Sequence, residues 1–198
     1  MLPKPLNPRK NIGKFRQLAI DQNRTVFTSQ VISPIGETVL KRADNNSKLG
    51  NGKYLITKGK WKGFPLFYLT LEERKTCPTY CHFYDRCYGN NLYLAKRFKH
   101  GKELENKIEQ EIAYLADKYT NFVVRLHILG DFYHPRYVIL WSKLLNKYPG
   151  LNLFGYTALK EGPIYNEIKN MIKTYGYERA AIRFSYNHSY SKIGRAHV

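Results

Sequence analysis

The sequence predicts an α/β fold: repeated βα units forming a partial, truncated TIM-like barrel behind a basic N-terminal extension. Three observations predict it. Apolar, β-rich runs recur at 64–70, 122–129, 151–157 and 180–185. Amphipathic helical stretches separate them, which points to crossover connections rather than hairpins. Charge is also uneven: residues 1–62 hold 13 basic and 3 acidic side chains (net +10), and residues 63–198 hold 20 and 12 (net +8).

The elements follow in order. Pro3, Pro5 and Pro8 among basic residues make 1–14 an extended arm. Val26-Phe27 and Val31-Ile32, followed by Pro34-Gly36, predict short strands or a hairpin within 15–40. Residues 41–53 are polar and rich in Asn and Gly, so a loop. Tyr54 to Ile56 reads as a short strand, and Lys58 to Gly63 as a basic turn around Trp61. Phe64 to Thr70 is an aromatic-rich strand, with a cysteine segment after it at 77–87. Residues 91–119 read as helical, broken near His100-Gly101, and Leu104, Ile108, Ile112 and Leu115 recur on one face. Phe122 to Leu129 is a continuous buried strand ended by Gly130-Asp131. Pro135 opens a helix over 135–148 with Val138, Leu140, Trp141, Leu144 and Leu145 as its apolar side. Leu151 to Thr157 is the third strand. Pro163 opens a helix through Tyr175, Gly176 stops it, and Ala180 to Ser185 is the fourth strand.

This order predicts right-handed βαβ units and a parallel sheet. A half-barrel or truncated barrel fits, and so does a doubly wound open sheet. Both place ligands at the carboxyl ends of the strands. The cysteine loop, Gly130-Asp131, Thr157 onward and Ser185 onward all fall there. The expected organisation is a basic extension with short strands (1–62), a βα partial-barrel domain (63–191) and a seven-residue tail (192–198). Lys192 to Val198 back-translates to the read-through of a common sequencing adapter, so the tail is expected to be a scar and the natural chain to continue past Ser191. Without the tail the net charge falls from +18 to +16.

A basic excess of this size favours polyanion partners, nucleic acid first. An AT-rich genome enriches Lys, Asn, Ile and Tyr without selection for binding, and that reading stays open. No run approaches the roughly 18 consecutive apolar residues of a membrane span, and the N-terminal residues lack the apolar h-region of a secretory signal. No membrane partner is expected, and the cytoplasm is the expected compartment. Walker A, dinucleotide-binding, zinc-finger, RNP-like and helix-turn-helix patterns are absent. Any nucleic-acid contact through the extension would be electrostatic and backbone-directed.

All three cysteines, Cys77, Cys81 and Cys87, lie within eleven residues, spaced Cys-x3-Cys-x5-Cys. Clustered cysteines in a reducing compartment point to metal before disulfide. Three thiolates leave a tetrahedral zinc site one ligand short, with His82 or a distant His as candidate fourth. They can instead hold a [4Fe-4S] cluster with one iron open to a small molecule. Ordinary small core residues, or a redox pair with a spectator, are the remaining alternatives.

A three-cysteine loop directly after the first strand of a βα series resembles radical S-adenosylmethionine (SAM) enzymes. The second gap here is three residues longer than in the common Cys-x3-Cys-x2-Cys form. Gly130-Asp131 is similar to the Gly-Glu element that receives the methionyl amine of SAM, with Asp one methylene shorter. The segment Thr70 to Thr157 also resembles a poorly characterised group of phage-borne and bacterial proteins thought to share that fold. The resemblance implies that Cys77, Cys81 and Cys87 bind three irons while the fourth chelates SAM. It further implies that Asp131 accepts a hydrogen bond from the SAM amine. Reductive cleavage of the sulfonium would then yield a 5′-deoxyadenosyl radical, the cofactor carrying the hard chemistry.

Gly130 and Asp131, by this resemblance, and Tyr156 and Ser185, by their place at strand ends, are the expected cofactor-binding residues. Asp131 could alternatively cap the helix at 135. His127 reads either as an active-face residue or as a hydrogen-bonded core histidine, sharing a strand face with Arg125 and Leu129. Arg125 on a barrel-lining face could bind a carboxylate or phosphate. Tyr80, Phe83, Tyr84, Tyr88 and Tyr93 surround the cysteines. Packing is expected for most of them, with cluster shielding or base stacking as the alternatives.

Overall fold

The computed structural model describes residues 12–44 and 54–185. The expectations for the arm at 1–11, most of the 41–53 loop and the 192–198 tail lie outside the described residues. In chain order the elements begin with α1 (Ile12–Asp21), β1 (Val31–Ile32), β2 (Lys41–Arg42), β3 (Leu66–Tyr68), α2 (Glu73–Thr76) and β4 (Arg97–Phe98). They continue with α3 (Lys102–Lys118), β5 (Phe122–Leu126), α4 (Pro135–Lys147), β6 (Leu151–Thr157), α5 (Gly162–Arg179) and β7 (Ala180–Phe184).

Five strands form one sheet in the order β2-β3-β5-β6-β7. β2 pairs antiparallel with β3, and every other pair is parallel. From β3 to β7 the spatial order follows the chain order. The last two parallel steps are each made by one helix, and the step from β3 to β5 runs through α2 and β4 before α3 completes it, as a crossover requires. The apolar stripes of α3, α4 and α5 join one core with Phe67, Phe122, Val124, Leu126, Leu153, Ala180 and Ile182. All three helices therefore cover the same sheet face. The opposite face carries Leu66, Val123, Phe154 and Ala181, covered near the strands' amino ends by Ala43, Ile56 and Trp61. Each large apolar side chain taken fully out of water contributes about 1.5–3 kcal/mol. Trp141, Phe122 and Ile108 are among the most completely buried. Among the described residues no helix is long and apolar enough to cross a membrane.

Three expectations are corrected. Residues 12–21 form a helix, not an extended arm running into strands. The prolines end at Pro8, and Arg16, Gln17, Leu18 and Ala19 are good helix formers. Residues 92–100 are not helical, a 3-10 turn over Tyr88–Asn91 preceding them; α3 starts only at Lys102, after Gly101 at φ 129°. The carbonyls of Gly89, Leu92 and Ala95 accept from the Arg97 guanidinium instead, and Lys99 donates to Ile32 across a two-stranded parallel pair of β1 and β4. Finally, β5 stops at Leu126 because His127 takes φ +56°. That left-handed turn ends the two-residue alternation, so Arg125 and His127 do not share a face.

Candidate functional site

The site lies at the carboxyl edge of the sheet. Beyond β3 the chain stays beside the β5 turn, where Leu71 N–H donates to Leu129 O at 2.9 Å. The single turn of α2 follows, and Cys77 ends it by donating its N–H to Glu73 O at 2.8 Å. Cys77, Cys81 and Cys87 are all partly buried and free of disulfides. They lie close enough to act on one another electrostatically. Burial pushes the Cys77 thiol well up, and the charges of Asp131, Cys81, Cys87 and Glu73 add to it. Burial also raises Cys81 and Cys87. Backbone N–H groups oppose that rise, Phe83 at Cys81 and Gly89 at Cys87. N–H donors aimed at sulfur are what a thiolate-ligated cluster uses to spread its charge.

A buried polar layer supports this loop. Glu73 accepts from Thr25 Oγ1 at 2.7 Å and from Arg97 Nε at 2.9 Å. Arg97 then holds three carbonyls of the 89–95 segment, at 2.6 to 3.1 Å. Arg74 is 2 % exposed and donates through Nη2 to Asn90 Oδ1 at 2.9 Å and to Tyr84 O at 3.2 Å. Its Nε and Nη1 have no hydrogen-bond partner. Nη1 lies 4.0 Å from Glu73 Oε1, an ion pair too long to be a hydrogen bond, so this edge beside Cys87 keeps free donors for an anionic group in the loop, and the all-thiol donor set fits one too. Among the described residues, no three His, Cys, Asp or Glu side chains form a ligand group for a single metal ion. His82 stacks edge-on against Phe83, centroids 5.1 Å apart.

Gly130 and Asp131 are placed beside the cysteine loop. Gly130 has φ +89°, and a Cβ there would sit 2.6 Å from both Leu71 Cβ and Thr76 Oγ1. Only glycine lets the β5 turn approach α2 so closely. Asp131 N–H donates to Thr76 Oγ1 at 3.2 Å. The Asp131 carboxylate accepts from Phe132 N–H and from Ala158 N–H, both at 2.8 Å. It thus straps the end of β5 to the end of β6. Burial lifts its pKa to about 6, against the pull of the Ala158, Phe132 and Thr157 hydrogen bonds. The capping alternative for Asp131 is corrected: His134 is the N-cap of α4, its Nδ1 accepting from Arg136 N–H at 3.1 Å.

The other expected residues are more dispersed. Tyr156 is 43 % exposed, and its register puts it on the sheet face opposite the helices, beside Arg183. Ser185 is exposed and donates its N–H to Thr157 O at 2.8 Å. His127 is a core residue beneath α4, with Nε2 3.1 Å from Tyr137 Oη and Nδ1 unpartnered. Burial drives its pKa down to about 3. The loop aromatics correct another expectation: Tyr80, Phe83, Tyr88 and Tyr93 are exposed rather than packed. Sequence reasoning missed Glu73, Arg74 and Lys160, and it read Arg97, here fully buried, as one of the basic residues near the loop aromatics. The Lys160 ammonium lies 5.7 Å from the Tyr80 ring and its charge reaches Cys81, bringing the β6 loop to the site. Their sequence context reads as polar surface, and nothing in it signals burial. A cavity of about 340 Å³ lies elsewhere, between β2 and α3. Its Glu111 already accepts from the Val39 and Leu40 N–H groups.

Residues 38–197 match the family model described as gene product 88. The chain belongs to the gene product 88 family. The matched region of this family member takes in β2 to β7, all three cysteines and Asp131. No curated protein and no solved structure matches the chain.

Proposed function

We propose that this gene product 88 protein is a radical-SAM-like enzyme. In this reading Cys77, Cys81 and Cys87 hold a [4Fe-4S] cluster, and Gly130 and Asp131 receive SAM. One observation carries it: the strand end that bears the Asp131 carboxylate is bonded to the start of the three-thiol loop, Asp131 N–H donating at 3.2 Å to Oγ1 of Thr76, the residue before Cys77. Chain-ordered parallel strands with one-sided helices support reading the sheet as the opening part of a barrel.

When bound, the cluster would supply an electron for reductive cleavage of SAM's sulfonium. The residues do the rest. The Phe83 and Gly89 N–H groups and Arg74 offset negative charge on the sulfurs. With one backbone hydrogen bond on each oxygen and a third from the Thr157 side chain, the Asp131 carboxylate keeps one lone pair with which to accept from an amine. Gly130 allows that strand end to reach the cysteine loop. The net charge of +18 supports a nucleic acid or nucleotide as the substrate class.

Anaerobic reconstitution with iron and sulfide tests the assignment. Expected are four irons per chain, thiolate-to-iron charge-transfer absorbance, and an EPR signal of the reduced protein that shifts on adding SAM. A colourless protein holding stoichiometric zinc would overturn it in favour of a basic nucleic-acid-binding protein with a structural zinc. So would loss of neither iron nor signal when all three cysteines become serine.

A further inference from the structure

The sheet face turned away from the helices changes character along the strands. Near the amino ends it is apolar, with Leu66, Val123 and Ala181 under Ala43, Ile56 and Trp61. Nearer the carboxyl ends the same face presents Tyr68, Arg125, Tyr156 and Arg183. Pairing sets their positions: Tyr68 is opposite Arg125, Arg125 opposite Phe154, and Tyr156 opposite Arg183. β5 and β7 are two strands apart and Arg183 stands two residues further along, so the two arginines start about 12 Å from one another. Side chains of that length can converge on one phosphate or span two.

Both arginines lack a counter-charge. Among the described residues neither has a carboxylate within ion-pair distance or a hydrogen-bond acceptor. The Arg125 guanidinium lies 6.0 Å from the Phe154 ring centroid, and its charge reaches Tyr88 in the cysteine loop. Tyr88 and Tyr156 expose about half of their surface, 52 % and 43 %. Two guanidinium groups on one face, in a chain of net +18, repel each other until an anion bridges them. Paired, planar donors suit phosphate oxygens, and exposed tyrosine rings suit a nucleobase.

We propose that this face binds the phosphate-bearing part of a nucleotide, with Arg125 and Arg183 on the phosphate and Tyr156 and Tyr88 stacking the base. The proposal deepens the enzyme reading and rests on it only for the chemistry that follows binding.

The test is titration of the full chain with adenosine monophosphate and, separately, with a short single-stranded oligonucleotide, inorganic phosphate competing in each. R125Q and R183Q should each weaken binding about tenfold and lower the salt slope by about one. K169Q, which removes one positive charge from exposed α5 surface, should leave binding unchanged. Y156L should weaken it and Y156F retain it, while an unchanged thermal midpoint in R125Q and R183Q shows that their loss of binding is not loss of folding. Binding of the mononucleotide assigns a free nucleotide, and binding of the oligonucleotide alone assigns a strand. Binding of neither, or equal losses in R125Q and K169Q, overturns the proposal. Iron loading of the arginine variants separates the two readings. Normal clusters with wild-type nucleotide affinity in R125Q and R183Q sink this inference alone. A wild-type chain that binds nucleotide but assembles no cluster sinks the enzyme reading alone.

Discussion

Glu73 and Arg97 form an ion pair that water does not reach, with Nε 2.9 Å from Oε2 and side chains 1 % and 0 % exposed. The pair joins α2, which leads into the cysteine loop, to β4, which leads out of it. The remaining Arg97 donors hold the carbonyls of Gly89, Leu92 and Ala95, so the pair sets the shape of the loop's return path.

Breaking that pair should be costly. Removing one partner of a buried pair leaves an uncompensated charge and typically costs about 3–5 kcal/mol. Arg97→Met should lower stability by that order in urea denaturation, as should Glu73→Leu. The double variant should cost less than the two losses combined, since the Glu73 and Arg97 charges leave together and only Arg74, 4.0 Å from Glu73, loses a partner. Strict additivity would show that the two side chains do not act as a unit.

Two glycines with the same backbone angle should respond differently to alanine. Gly130 and Gly162 both have φ +89°. A Cβ at Gly162 meets nothing within 4 Å, whereas at Gly130 it would lie 2.6 Å from Leu71 Cβ and Thr76 Oγ1. Gly162→Ala should cost about 1–2 kcal/mol of backbone strain. Gly130→Ala should add overpacking of about 1–3 kcal/mol to that strain. Thermal melts that fall equally for both would refute the close approach of the β5 turn to α2.

His127 and Asp131 should oppose one another in acid. His127 is held near pKa 3, below its unfolded value of 6.5, so its contribution is present above pH 6.5 and is lost as pH falls toward 3. Asp131 is held near pKa 6, above its unfolded value of 3.8, so the folded state binds its proton more tightly. Its contribution is present below pH 3.8 and is lost as pH rises through 6. Each slope approaches about 1.4 kcal/mol per pH unit where only one state is protonated. Between pH 4 and 6 the two therefore nearly cancel. His127→Asn, a residue that tolerates positive φ, should make the protein more stable on mild acidification. Asp131→Asn should make acid loss steeper. Stability curves for both variants that parallel wild type across this window would rule out the two buried groups as its source.

Cluster assembly should depend on pH. Burial raises all three thiols, so binding iron must displace protons that these sulfurs hold tightly. Iron incorporation at fixed iron and sulfide should therefore rise from neutral to mildly alkaline pH. Arg74→Gln should reduce the yield at neutral pH, because it removes a charge that favours the Cys87 thiolate. Yields that do not change with pH would place the metal on groups other than these thiols.

Much of the fold was legible. The runs at 122–126 and 151–157 and the helix from Pro135 stand where periodicity and capping residues put them. Gly176 interrupts α5 at φ 65°, as a helix-stopping glycine should. Those signals are local, so they can be read without knowing the neighbours. The stretch 92–100 misled for the converse reason. Its residues tolerate a helix, and what overrides it is a contact with Ile32, far away in the chain. α1 was hidden by the prolines and basic residues just before it.

The candidate site divides along the same line. Sequence alone determined that three thiols lie on one loop after a strand, that a glycine and an aspartate end the next, and that positive charge dominates. These are facts of order and spacing. Tertiary structure alone decided that Asp131 ties two strand ends instead of capping a helix, that His127 turns into the core, and that Glu73, Arg74 and Arg97 lie beneath the cysteines. It also decided that Arg125 and Arg183, 58 positions apart in the chain, share a sheet face. Burial and long-range pairing depend on which surfaces meet, and a charged residue carries no local mark of whether it ends in water or under a loop.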